Sequence, residues 1–150
     1  MTTGHVRVAT LAFLFCAIGC HNPASPSVDD IASEQALWSV QHITAYTFDY
    51  EQSGFFVCCT EGQLLTLHVR NDTVVSAVFA ATGQPVPGCP PTCPGVTIDG
   101  LFGRAVQAVR DSRLSAIRFD PRLHYPTLIG LAGPPDASGA DHATNLRPSF

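Results

Sequence analysis

The sequence contains no lysine: its eight basic residues are all arginine, set against twelve Asp and Glu for a formal net charge of −4. Charged residues are only 13% of the chain and are spread out along it. No basic stripe is available to neutralise phosphates, which argues against nucleic acid as a partner. So dilute a set also builds neither a polybasic membrane patch nor an acidic tail. Long apolar runs are missing too: the most apolar stretch, residues 8–19, is shorter than the roughly 20 residues that span a hydrocarbon core of about 30 Å. There is no Gly-x-Ser-x-Gly elbow for a hydrolase and no His-Glu-x-x-His for a zinc protease. Internal repeats at solenoid spacing are absent as well.

What is present begins with an address. A weakly basic opening with Arg7 leads into Val8-Ala9-Thr10-Leu11-Ala12-Phe13-Leu14-Phe15-Cys16-Ala17-Ile18-Gly19, and polar His21-Asn22 ends the run just after Cys20. Residues 1–19 therefore read as a secretory signal peptide rather than a retained membrane helix. Ala17-Ile18-Gly19-Cys20 resembles the bacterial lipobox, with Ala17 standing where Leu is usual; the resemblance implies cleavage before Cys20 and lipid, palmitate included, on that cysteine. By the same resemblance, His21 rather than Asp after the lipid site implies the outer membrane of the cell envelope, facing the periplasm. Residues 20–28 carry Pro and Ser without apolar periodicity and read as a flexible tether. About 130 residues follow the leader, which suits one domain with one core.

Cys58, Cys59, Cys89 and Cys93 are left once Cys16 leaves with the leader and Cys20 takes lipid. In an oxidising compartment four cysteines are expected to form disulfides, and a first bridge closing a loop of about 30 residues contributes about 3 kcal/mol. Three pairings are possible. A bond between adjacent Cys58 and Cys59 strains the peptide joining them, so each is expected to bond to one of Cys89 and Cys93. The alternative is a thiolate site for zinc or copper(I). The spacing is not a pair of Cys-x-x-Cys motifs, and adjacent residues on an extended chain point to opposite sides, so no metal or other cofactor is expected. No Cys-x-x-Cys opens a helix to lower a thiol pKa, which argues against a redox dithiol.

Ser27 with Asp30 three residues on is a capping-box variant that predicts a helix over 29–43, with Ile31, Trp38, Leu37 and Val40 as its apolar members. Ala45 to Glu51 alternates aromatic with polar and predicts a strand with Tyr46, Phe48 and Tyr50 on its core face. Residues 63–70 and 73–80 are strand runs joined by Asn71-Asp72, a hairpin connection. Leu65, Leu67 and Val69 are expected on one side, with Val74, Val78 and Ser76, or their alternates, opposite. Thr97 or Asp99 can cap a helix whose Leu101, Phe102, Ala105, Val106 and Val109 form one stripe. Ser115, Ile117 and Phe119 alternate in a further strand, residues 121–126 turn, and residues 127–132 form a last strand, closing the domain 29–132. Residues 133–150 read as an irregular polar tail. The order α-β-β-β-α-β-β with short links predicts an α+β fold: an antiparallel sheet of about five strands with two helices on one face.

The ordered set Trp38, Tyr46-Thr47-Phe48-Asp49-Tyr50, the cysteine pair, Val69-Arg70-Asn71-Asp72 with Val74, Thr82-Gly83-Gln84-Pro85-Val86-Pro87, Thr97-Ile98-Asp99-Gly100-Leu101-Phe102, and Phe119-Asp120-Pro121 leading to Tyr125-Pro126-Thr127 resembles domain-of-unknown-function family 6174. The resemblance covers residues 36–132. It implies a bacterial protein, many relatives being predicted lipoproteins, and brings no activity, catalytic residue or ligand. Two departures bear on disulfide pairing: the cysteines here are adjacent where relatives tend to space them, and the loop from Cys89 to Cys93 looks like an elaboration.

Other residues with chemical potential have plainer explanations. His68 alternates with core positions and reads as a solvated sheet residue. Asp120, His124 and Tyr125 flank a turn that Asp120-Pro121 explains without catalysis, and Asp141-His142 falls in the tail. Of the aromatics, Phe55-Phe56 beside Gly54 is the pair suited to a contact surface. The chain is thus expected to be a cell-envelope lipoprotein with a membrane partner through its anchor and an envelope protein or small ligand as binding partner. It is expected to be a non-catalytic module, the alternative being a small periplasmic enzyme or a thiolate metal-handling protein.

Overall fold

The computed structural model describes residues 26–54, 62–87, 96–134 and 138–149. Ser27 accepts from the Asp30 amide while the Asp30 carboxylate accepts from the Ser27 amide, so the capping box forms and starts α1, Val28–Ser39. Ile31 and Trp38 turn inward from α1. The helix ends four residues short of its expected end at 43: the amides of Gln41 and His42 reach back only three residues, to Trp38 and Ser39, and His42 takes a positive φ of 53° that redirects the chain into β1.

β1, Ala45–Gly54, buries Tyr46, Phe48 and Tyr50 as the alternation requires. β2, Leu65–Arg70, and β3, Thr73–Phe79, join through Asn71-Asp72, both at positive φ (48° and 52°), the type I′ geometry whose twist matches antiparallel strands. Leu65, Leu67 and Val69 face the core as expected. On β3 the pairing slips between His68 with Ser76 and Val69 with Val74, leaving Val75 as the extra residue. This bulge re-aims the strand, so Val74 and Ala77 are buried, Val75 is 59% exposed, and the period-2 set of Val74, Ser76 and Val78 does not form.

Thr97 caps α2, Ile98–Arg110, by accepting from the Gly100 amide at 3.1 Å. The helix buries Ile98, Leu101, Phe102, Ala105 and Ala108. It stops in a Schellman arrangement: the Arg113 amide bonds Ala108 O, the Ser112 amide bonds Val109 O, and Ser112 sits at φ 55°. β4, Leu114–Phe119, and β5, Pro126–Leu131, follow.

The expected irregular tail is instead strand β6, Gly139–Pro148, and the sheet has six strands rather than five, in the order β3-β2-β1-β6-β5-β4, with every pair antiparallel. Local sequence hides β6, because Gly139 to Pro148 holds one β-branched residue and no aromatic. It is a strand because β1 and β5 supply partners on both sides. At Asn145, φ 53°, one extra β6 residue sits opposite Phe48. That bulge keeps Asp141, Ala143 and Leu146 all on the buried face across a broken alternation.

The fold is α+β. Two three-strand meanders meet along β1 and β6, and α2 runs from one meander to the other. Both helices pack on one face, where Phe48, Phe102, Ile31, Ile98, Leu101 and Ile129 are the fully buried centre and Trp38 meets Tyr46 edge-on at 5.7 Å. The other face is polar: there Asp49 accepts from Thr66 at 2.7 Å and Asn145 at 2.9 Å. Among the described residues no helix is long and apolar enough to cross a membrane.

Glycine matters where β1 and β6 close most tightly. A Cβ on Gly54, φ 105°, falls 2.4 Å from the Ser138 carbonyl oxygen, whereas one on Gly103, exposed in mid-α2, meets nothing within 4 Å. Gly54→Ala is expected to lower the urea midpoint by the equivalent of about 2 kcal/mol or more. Gly103→Ala is expected to raise it by about 0.5–1 kcal/mol, through helix propensity and a less free unfolded chain.

Candidate functional site

β1, β6 and α2 bring four polar side chains together beneath the helices. Alternation on β1 puts Tyr50 inward, β6 puts Asp141 inward two residues before Ala143, and α2 turns Arg104 toward the sheet from between Leu101 and Ala105. Asp141 Oδ1 accepts from Arg104 Nη1 at 2.6 Å, from Tyr50 Oη at 2.6 Å and from Gln52 Nε2 at 3.0 Å. Arg104 Nη1 also lies 3.3 Å from Tyr50 Oη. The Asp141 side chain is 1% exposed and Arg104 25%. Asp141 Oδ2, equally buried, has no hydrogen-bond partner among the described residues.

The electrostatics follow from burial. Burial raises the Tyr50 pKa far above its ordinary value, the negative charge of Asp141 pushes it further, and the Arg104 cation opposes without reversing this. For Arg104, burial works against the charged form, but Asp141 and Tyr50 outweigh it and the pKa ends above its ordinary value. Arg104 therefore stays cationic and Tyr50 stays protonated. Both donate to one carboxylate oxygen through charge-assisted bonds, which favour fixed geometry over proton transfer.

A second tyrosine holds the other end of the same helix. Tyr46 Oη accepts from the buried Ile98 amide at 2.9 Å, satisfying an orphan donor of α2's first turn. Burial is the main cause of its raised pKa, and Asp99 and Asp72 add to it while the Ile98 bond opposes it. Asp99, in that first turn, is itself raised by burial and by Asp72, against a bond from Trp38.

The residues singled out from sequence are dispersed by the fold. His68 sits on the helix-free face between Thr47 and Ser76, and His142 is exposed on that face opposite Glu51 and Leu128. Asp120 Oδ1 accepts from the amides of Arg122 and Leu123, the turn chemistry expected of it. His124 Nδ1 meets Glu34 Oε2 at 2.9 Å, both side chains about one-third exposed, and Gln41 donates to Leu123 O at 2.8 Å, so this turn anchors α1. Tyr125 is core, 6.4 Å from Trp38. Asp141 is brought into the cluster, and its neighbour His142 is not. Cys20, Cys58, Cys59, Cys89, Cys93, Phe55 and Phe56 lie outside the described residues. Among the described residues no group of three or more His, Cys, Asp or Glu could hold a metal.

Arg104 and Gln52 were not anticipated from sequence. A signal for Arg104 existed: Leu101, Arg104, Ala105 and Ala108 stand at i, i+3, i+4 and i+7, so a cation occupies a core position of the apolar stripe. A buried cation implies a buried acid, but nothing local points to Asp141.

With this geometry in hand, comparison with known families gives a match over residues 30–145, from the first turn of α1 into β6. The chain belongs to the family of unknown function DUF6174. The match runs past residue 132 into β6, so the family domain includes the strand that carries Asp141. No curated protein and no solved structure matches the chain.

Two outcomes are expected of this DUF6174 domain. Arg104→Met leaves Asp141 buried without its cation and is expected to cost about 3–5 kcal/mol by chemical denaturation, while Arg104→Met with Asp141→Leu recovers most of that loss. The chain's three tyrosines, Tyr46, Tyr50 and Tyr125, all have raised pKa values with burial the first cause. The folded state holds those protons more tightly than the unfolded chain, so their stabilisation is complete below the ordinary tyrosine value of 10.0 and is lost as pH rises above it. Tyrosinate absorbance on alkaline titration is expected to rise with loss of circular dichroism, not before it.

Proposed function

We propose that this protein is a cell-envelope lipoprotein, anchored by lipid on Cys20 and facing the periplasm from the outer membrane, with a domain that is a non-catalytic binding or structural module. The observation that carries the non-catalytic reading is the commitment of Asp141 Oδ1, in the buried polar cluster described, to three donors at once. Tyr50 keeps its proton and Arg104 is committed to both Tyr50 and Asp141, so neither of these two is poised to accept or deliver a proton. A catalytic carboxylate needs an open approach, which an acid 1% exposed between a helix and a sheet does not offer.

The anchor reading rests on sequence: an apolar run ending at Cys20, a Pro/Ser-rich link, and a helix that opens at Val28 directly after it. Such a link lets a folded domain stand off a bilayer while staying attached to it.

Intact mass of the mature protein from a native-like host envelope, with and without reduction and alkylation under metal-retaining conditions, tests this. The expected result is a chain starting at Cys20 with a lipid mass increment and two disulfides among Cys58, Cys59, Cys89 and Cys93. Four free thiols with bound metal overturn it in favour of thiolate metal handling, and an unmodified Cys20 overturns the anchor.

A further inference from the structure

β6 follows every other described element in the chain yet stands in the middle of the sheet, between β1 and β5. Its place is prepared far upstream: Tyr50 on β1 and Asp141 on β6 are 91 residues apart in sequence. Both neighbours run antiparallel to β6, so β1 and β5 are parallel to one another and two strand spacings, about 10 Å, apart. Without β6 that gap opens beneath the core that Ala143 and Leu146 help to fill. We infer that β6 is the closing strand of the domain: residues 26–134 do not hold the native packing by themselves, and the whole fold locks when residues 139–148 enter the gap. The inference uses the described domain alone and is independent of the anchor proposed above.

Neither half is a stable unit without β6. On one side β4 and β5 are left as a two-stranded hairpin, which is marginal in water. On the other, β1, β2 and β3 keep α1 as their helical cover, and α1 buries just Ile31 and Trp38. That helix is moreover held from the far half, by Gln41 donating to Leu123 O and by Trp38 against Tyr125. α2 cannot bridge the halves early, because Arg104 would come down on the sheet with no acid to meet: its ion pair is with Asp141, and it has no other among the described residues. β6 in turn cannot form first, since Gly139 to Pro148 has no aromatic and one β-branched residue. Strand, gap and helix thus wait on one another, which makes closure a single cooperative event. A pairing of such sequence separation also forms late, because closing the loop costs entropy before the ladder returns any free energy. A chain that leaves the ribosome N-terminus first therefore stays open until residues 139–148 are free.

The test uses the full chain, followed by a Gly/Ser linker and a stalling sequence that holds it on the ribosome. A pulse of thermolysin is given at each linker length and the fragments are read by mass spectrometry. While the linker is too short for residues 139–148 to leave the exit tunnel, cleavage across residues 26–134 is expected to match that of the urea-unfolded chain. At the linker length that frees Pro148, cleavage is expected to slow by about 100-fold or more, over all the other strands and both helices together, because cutting follows the population of the open form. Protection of residues 26–79 or of 98–131 at a shorter linker means that one half folds alone and overturns the inference. Protection confined at that length to β6 and its two neighbours overturns it as well. So does a chain that stays cleavable at every linker length and becomes resistant only once released.

Discussion

The structure depends on the pairing of β1 with β6. The two strands occupy the middle of the sheet, each carries a meander outward, and their ladder joins residues from opposite ends of the described chain. Without it the domain is two three-stranded sheets, each with an exposed central edge. The closest approach, Gly54 against Gly139, tolerates no side chain on either strand, which fixes the register at that end. At the other end the bulge at Asn145 absorbs the one-residue mismatch that would otherwise turn Leu146 to solvent.

The Asp141 cluster makes this pairing specific. A strand with Asp, His, Thr, Asn and Arg among ten residues has little hydrophobic drive to choose a face. Burying Asp141 outside its pairing with Arg104 and Tyr50 is costly, so registers that misplace it are disfavoured more strongly than the native one is favoured. The same bonds tie α2 to both central strands, and Tyr46 holds the helix's first turn in place from the same β1 face. Polar contacts here define orientation, while Phe48, Phe102, Leu101 and Ile129 supply the apolar burial.

The edges are treated differently from the centre. Residues 84–86 run back along β3, bonding Phe79 and Ala77, and Pro85 stands in that bridge where an added strand would need a donor. β4 slips register twice against β5, which twists the opposite edge away from flat pairing. The helix-free face is polar and its side chains bond one another, as in Asp49 with Thr66 and Asn145. Among the described residues the exposed large aliphatic side chains are scattered, Leu37 and Val40 at the end of α1, Leu64 before β2 and Val75 at the β3 bulge.

Local pattern determined most of the elements. The capping box at Ser27, the aromatic alternation of β1, the Asn71-Asp72 turn and the apolar stripe of α2 are each written within a dozen residues, and each formed where the period and the turn chemistry place it. The family, too, was legible in the ordered motifs from Trp38 to Thr127. Tertiary structure alone decided the sixth strand, the bulges that reassign Val75 and Leu146, and the meeting of Arg104 with Asp141. The reason is physical: β6 has no intrinsic strand preference and gains its conformation only from partners distant in sequence. An acid's burial is likewise set by what crosses above it, and that lies outside any local window.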